Sequence, residues 1–337
     1  MSDPAEGPRD IGSGGAGRSA GLAWVLTRGR RGGGLIPTRL VPFVALIVVI
    51  VFFSITGGTR FLSIDNASFL LQQSAIIAIP AFGVSLVIIA GSIDLSIGSV
   101  VALTGMVAAV VDQSWGPLPA IAAALVVGVA AGFLNGVGFA ILRVPSFIVT
   151  LGMLSVARGL TIIVSASQPI NVESGFQVIG HMPGILVLFA ACFAGATILL
   201  TFSTFGRQAV AIGGQERVAR LSGVPITRLK VLLFAFAGFM AGIGGVALTA
   251  RVGAATPTAA TGLELACITA VVLGGTPLTG GVGNMTNTVV GAFIISILLN
   301  GMVIMGVPSE IQLIVQGLVL VGAVYVSLER VKIGIIK

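Results

Sequence analysis

FGRQAVAIGGQERVARLSGVPITRLK, residues 205–230, is a hydrophilic island between two apolar runs near 184–202 and 231–250. It carries Arg207, Arg217, Arg220, Arg228 and Lys230 against one acid, Glu216. A stretch this charged between runs this oily reads as a loop at a membrane surface, and positive charge holds such loops in the cytoplasm. Within it, Gly213-Gly214 predicts the opening of a short helix over 215–222. Glu216 falls in its first turn, Arg220 in its last, and Gly223 follows as a C′ residue able to take positive φ. So short a helix does not persist alone in water and has to rest on something. Val218 and Leu221 would share a face, with Arg217 and Arg220 as a second pair one position round. The segment is then either a plain connector or a docking element. In the second case Gln215, Glu216, Arg217, Val218, Arg220, Leu221 and Gly223 couple the chain to a cytoplasmic partner.

The rest of the chain supports the membrane reading. Of 337 residues, 56% are hydrophobic and 9% charged, whereas a soluble domain carries roughly 25% charged residues. Continuous apolar runs of about fifteen to twenty-five residues exclude a β-barrel, whose strands alternate over about ten. The fold class expected is all-α: a polytopic membrane protein of about ten transmembrane helices. The runs lie near 40–55, 67–90, 97–111, 118–142, 147–165, 184–202, 231–250, 262–280, 288–306 and 311–328. Residues 1–39, rich in Gly, Ser and Arg, read as a disordered basic cytoplasmic tail, and 40–337 as the transmembrane domain. With both termini inside, all of the 18 basic residues except Arg60, Arg158 and Arg251 fall in the cytoplasm. The net charge of +7 is thereby explained without nucleic acid.

An internal repeat accompanies the runs. Leu134-Asn135-Gly136 with Val144-Pro145-Ser146 returns as Leu299-Asn300-Gly301 with Val307-Pro308-Ser309, and Gly98 and Gly262 fit the same offset. Five helices separate the copies, an odd number, so they would lie inverted, as in many transporters.

Several polar residues interrupt the oil. Gly91-Ser92-Ile93-Asp94-Leu95-Ser96-Ile97-Gly98-Ser99 breaks what would otherwise be continuous helix, and freed backbone survives in a membrane only where it is buried or lines a cavity. Asp94 and Ser96 are either caps for the next helix or groups facing a pathway, capping being favoured for Asp94. Arg158 lies well inside its run, where a charge is costly. It snorkels outward, pairs with Asp94 or Glu264, or lines a path. Glu264 stands near the start of the eighth run. Thr276 lies in Gly274-Gly275-Thr276-Pro277-Leu278-Thr279-Gly280-Gly281-Val282-Gly283, a phosphate cradle at first sight. No Gly-x4-Gly-Lys-Ser/Thr follows there or anywhere else, so ATP would have to be bound by separate subunits. Cys192, Cys267 and the single His181 offer no metal spacing. No nucleophile–base pair suggests catalysis.

The stretches Ala90–Ser99, Pro145–Leu154, Ala157–Leu160, Val271–Thr276 and Gly280–Gly283 together resemble the ribose/xylose-type permeases of ATP-binding-cassette importers, over roughly residues 45 to 328. Two departures stand out. Ala266 follows the Glu-Leu pair where the family has an acid, and Met285-Thr286-Asn287-Thr288 replaces a glycine-favouring stretch. The resemblance implies a non-enzymatic permease with an inverted-repeat architecture that moves a small sugar across the inner membrane. It further implies a second permease copy or paralogue, two cytoplasmic ATPase subunits and an extracytoplasmic sugar-binding protein. The 205–230 loop falls where such permeases place their coupling helix. An ion-coupled secondary transporter is the alternative, although it would want more intramembrane acids than Asp94 and Glu264.

Overall fold

The computed structural model describes residues 40–332, and side chains as far as Ser327. The predicted tail, 1–39, and Lys337 lie outside them. Five long helices come first: α1 (Val41–Phe61), α2 (Ile64–Ile89), α3 (Ile97–Trp115), α4 (Pro117–Ala140) and α5 (Ser146–Val164). A connecting region follows, with β1 (Ile170–Asn171) and the short α6 (Ser174–Gln177). Then come α7 (Gly184–Phe202), α8 (Thr204–Leu221), α9 (Ile226–Val252), β2 (Ala254–Ala255), α10 (Leu263–Leu273), α11 (Met285–Ile304) and α12 (Ser309–Lys332). Among the described residues nine helices are long and apolar enough to cross a membrane.

The eighth predicted run is the exception. It was expected to span 262–280, but α10 ends at Leu273 after 11 residues. Gly275 takes φ +90°, and Pro277 follows, so the helix cannot continue. Residues 274–284 go on as irregular chain to α11. That crossing is therefore half helix and half loop.

Helix α2 is the centre. Every residue from Ser74 to Ile89 is buried, as expected of a helix apolar all round that lies inside a bundle. It packs against α9, α11, α10 and α7. Its start is fixed by Ser63, whose hydroxyl accepts from the Asn66 amide at 3.2 Å. In lipid no hydrophobic force draws helices together, so close backbone packing has to do it. The α4–α9 crossing is an example: a Cβ on Gly128 or on Gly238 would collide with the other's backbone. By contrast α1, α5 and α12 keep most of their apolar surface outward, including Ile47, Val48, Ile163, Leu318 and Val321.

Helix boundaries repeat as the sequence motifs do. Helices α2 to α5 start at Ile64, Ile97, Pro117 and Ser146, and α9 to α12 at Ile226, Leu263, Met285 and Ser309. With α10 and its loop taken as one crossing, five crossings separate the members of each pair, so the copies run in opposite directions. The strands β1 and β2 pair antiparallel, Ile170 with Ala255 and Asn171 with Ala254, at the end of the bundle away from α8.

This architecture makes a topological prediction. Val172 is buried against that two-stranded pair, whereas Ser174 is exposed at the same end of the bundle. Single cysteines at Ser174 and at Gln215 should react with an impermeant maleimide from opposite faces, Gln215 from the cytoplasmic one. Labelling of both from one face would refute the arrangement.

Candidate functional site

Two features stand out: the meeting of the broken segments inside the bundle, and the charged knob at one end.

The first is built around Asp94, which is 2% exposed. Its Oδ1 accepts from the Ser96 amide at 2.9 Å and from the Ser96 hydroxyl at 2.6 Å, a local turn that an Asp side chain forms with the backbone two residues on. Asp94 therefore holds the residue just ahead of α3, one step earlier than a cap on the helix itself. Ser96 in turn accepts from Asn135 Nδ2 of α4 at 2.9 Å. Asn135 is 1% exposed, and its Oδ1 has no partner among the described residues. In the sequence Asn135 stands out only as part of the repeat. An amide inside an apolar run was the signal of its role.

The N-terminus of α10 meets the N-terminus of α3. A Cβ on Gly98 would collide with Glu264 Oε2 and stand 2.9 Å from the Ala260 carbonyl. Glu264 lies in the first turn of α10 with Oε2 enclosed and unpartnered among the described residues. Negative charge is favoured at a helix N-terminus, so Asp94 and Glu264 both suit the ends they occupy. Thr276 is buried on the other side of the α10 break, its hydroxyl likewise unpartnered.

Arg158 does not pair with Asp94 or Glu264. Its Nη1 donates to the carbonyls of Pro257 and Ala259, each at 2.9 Å. Those carbonyls belong to the irregular chain that leads from β2 into α10, which has no helix to satisfy them. A guanidinium with five donors in a planar fork meets that need. A recess of about 170 Å³ opens beside this chain, bounded by Gln73, Ile76, Thr261, Gly262, Leu299 and Gln316. Gln316 Nε2 donates to the Gly262 carbonyl at 3.1 Å.

The knob differs in one respect from its expected form. Gly213-Gly214 does not open the short helix. Both belong to the helix that begins after Ser203, whose side chain accepts from the Gly206 amide. The break falls at Gln215, which is extended at φ −162°, ψ 103°. The reason is packing: Gly213 is pressed against the Ile89 carbonyl, and its missing side chain serves that contact rather than a turn. A short helix then runs to Leu221. Its end is a Schellman motif, with Gly223 at φ +83° donating to the Arg220 carbonyl and Val224 to that of Ala219, both at 3.1 Å.

Ala219 faces inward, whereas Val218 and Leu221 are 52% and 80% exposed. Arg217 is exposed as well. Glu216 accepts from Arg220 at 2.8 Å and from Lys230 at 2.7 Å, and Lys230 lies 4.4 Å from the centre of the Phe139 ring. Arg220 is thus engaged within the chain. The Lys230 hydrogen bond, helped by Arg220 and opposed by partial burial, holds the Glu216 carboxyl below the usual glutamate range.

Membrane-length helices, broken where the two repeats meet, define a multi-pass membrane protein. Residues 66–324 match the family described as branched-chain amino acid transport system / permease component. The chain belongs to that family. It is 40% identical over 295 residues to the ribose import permease protein RbsC of Escherichia coli (strain K12), covering 84% of this chain and 92% of that protein. It is 37% identical over 303 residues to RbsC of Bacillus subtilis (strain 168), covering 87% and 93%. The xylose transport system permease protein XylH of E. coli (strain K12) is 35% identical over 356 residues, covering 85% and 91%. No solved structure matches.

Two predictions belong to these geometries. Arg158→Leu leaves two part-buried carbonyls without their donor, at up to about 1 kcal/mol each, and should lower the thermal midpoint of the purified protein. Arg158→Lys should recover only part of the loss, and an unchanged midpoint in Arg158→Leu would exclude the clamp. For the Glu216 tether, the folded-state carboxyl is depressed. The tether is therefore complete above the ordinary glutamate range of about 4.3 and is lost as pH falls through the lower folded-state value. A nitroxide at Arg217 should keep one mobility from pH 8 to pH 5. In Lys230→Ala that mobility should be higher throughout the range. A pair this exposed contributes about 0.2–1 kcal/mol.

Proposed function

We propose that this chain is the permease subunit of an ATP-binding-cassette importer that takes a small monosaccharide of the ribose/xylose kind into the cytoplasm. The observation that carries the reading is the 40% identity with a ribose import permease over 92% of that protein's length. The chain would pair with a second permease copy or paralogue in the inner membrane, both termini cytoplasmic. Two cytoplasmic ATPase subunits bind and hydrolyse ATP, and an extracytoplasmic binding protein delivers the sugar.

On this reading the permease does no covalent chemistry. The ATPase seats the 216–221 knob, with Val218 and Leu221 in an apolar pocket and Arg217 at its acidic rim. Central apolar contacts dominate such interfaces, and rim charges contribute less. Closure of the ATPase pair then moves the knob, and the bundle alternates between outward- and inward-open forms. The partly buried breaks at 90–96 and 274–284 are where a bundle of otherwise rigid helices yields most easily. The recess beside Gly262, apolar with carboxamide edges, suits a neutral hydroxylated solute better than an ion.

Uptake by proteoliposomes tests this, with ATP and the ion gradient varied separately. Ribose or xylose uptake should require ATP and survive ionophores. Collapse of uptake with the gradient at full ATP would instead favour ion-coupled secondary transport. Val218→Asp should release the ATPase subunit or abolish substrate-stimulated hydrolysis while the permease still folds. Leu221→Ala should weaken binding by about 1–3 kcal/mol, and Arg217→Ala should do less harm. Normal subunit retention and stimulation in Val218→Asp would return the knob to a plain connector.

A further inference from the structure

The knob is one end of α8, and just ahead of it Gly213 makes a backbone-to-backbone junction with the bundle. A Cβ on Gly213 would fall on the Ile89 carbonyl and on the Gly281 amide. Those two groups are themselves hydrogen-bonded, Gly281 N donating to Ile89 O at 2.8 Å. A Cβ on Gly280 would stand 2.7 Å from the Gly91 amide, and one on Gly91 would stand 3.7 Å from the Gly213 Cα. Three strands of backbone therefore meet with no side chain between them. They are the helix that carries the knob, the end of α2 where the 90–96 break begins, and the 274–284 chain that follows α10.

We propose that Gly213 is the positioning residue through which movement of the knob reaches both breaks at once. Side-chain packing yields by rotamer changes, whereas backbone pressed on backbone has no rotamer to spend. A displacement of α8 at Gly213 must be taken up by the Ile89 and Gly281 backbones. From Ile89 the chain runs through Gly91 directly to Asp94 and Ser96, and from Gly281 back to Thr276. One contact thus drives the two inverted copies together, although they lie far apart in sequence. The inference rests on the importer reading above and adds the route by which force leaves the knob.

The neighbouring glycine supplies the control. Gly213 and Gly214 sit in one helical stretch, so alanine improves local helix propensity at either by a similar amount. A methyl on Gly214 meets nothing within 4 Å, whereas one on Gly213 lands in the junction. Permease, ATPase subunits and binding protein would be assembled in proteoliposomes. Gly213→Ala should retain the ATPase subunit and its basal hydrolysis within twofold, while sugar moved per ATP hydrolysed falls at least tenfold. Gly214→Ala should stay within twofold of the parent protein in all three. Equal behaviour of the two variants would overturn the proposal.

Hydrogen exchange on the unmodified complex decides independently should Gly213→Ala fail to assemble. A non-hydrolysable ATP analogue should change exchange in 90–96 and 274–284 together with 213–221. A change confined to 216–221 overturns the junction while leaving the importer reading intact. ATP-independent uptake by the unmodified complex overturns both.

Discussion

The approach of Gly98 to Glu264 and the Ala260 carbonyl is the constraint on which the rest of the bundle depends. It brings the N-termini of α3 and α10 face to face, and this is possible only because each helix starts late, after a stretch of irregular chain. Irregular backbone in a membrane protein leaves donors and acceptors that lipid cannot satisfy. The remaining polar residues of the interior answer that demand. Asp94, Ser96 and Asn135 occupy the approach to α3, Arg158 that to α10, and Gln316 binds the Gly262 carbonyl at the turn. Few charges lie inside, and Asp94 and Arg158 each account for a particular stretch of non-helical chain.

Around this centre the packing follows from the solvent. Helices in lipid gain nothing from hiding apolar surface, so association depends on contact area and backbone proximity. Glycine at the α4–α9 crossing gives proximity, and the long buried stretch of α2 gives area. The outer helices α1, α5 and α12 lack such partners and turn Ile, Leu and Val outward, as lipid or a second subunit requires. The same chain thus has a stiff interior and a plain exterior, joined at one end by the junction of α8 with the breaks.

What could be read from the sequence was whatever is local. Apolar runs located nine long helices to within a few residues, since length and hydropathy alone set a span. Gly223 was legible as a C′ glycine because the Schellman motif closes within one turn. The eighth run misled because hydropathy does not register that Gly275 and Pro277 deny a helix its continuation. The repeat was visible in Leu-Asn-Gly and Val-Pro-Ser, but which residues the two copies bring together was not. Arg158 was recognisable as a charge needing a partner, and Asp94 and Glu264 were the obvious ones. The partners are carbonyls of Pro257 and Ala259, a hundred residues on, which no pattern of side chains advertises. Gly213 reads as the opening of a short helix for a similar reason: a glycine needed for contact looks the same in sequence as one that marks a helix boundary.

The position of the knob follows from its internal ion pairs. An element that carries force gains by being held in its working orientation before the partner arrives, because ordering it at the moment of docking would subtract from binding. Glu216 supplies that hold by joining Arg220 of its own helix to Lys230 of α9, and Phe139 of α4 steadies the lysine from the far side. The tether uses charges, which water screens, so it is the softer of the two holds on the knob. Beneath it the Schellman turn and the Gly213 junction are backbone contacts, which do not depend on salt or pH. In the coupling role proposed for the knob, orientation would rest on the soft element and transmission on the stiff one, so that the knob could adapt its angle to an ATPase surface without loosening its grip on the two breaks.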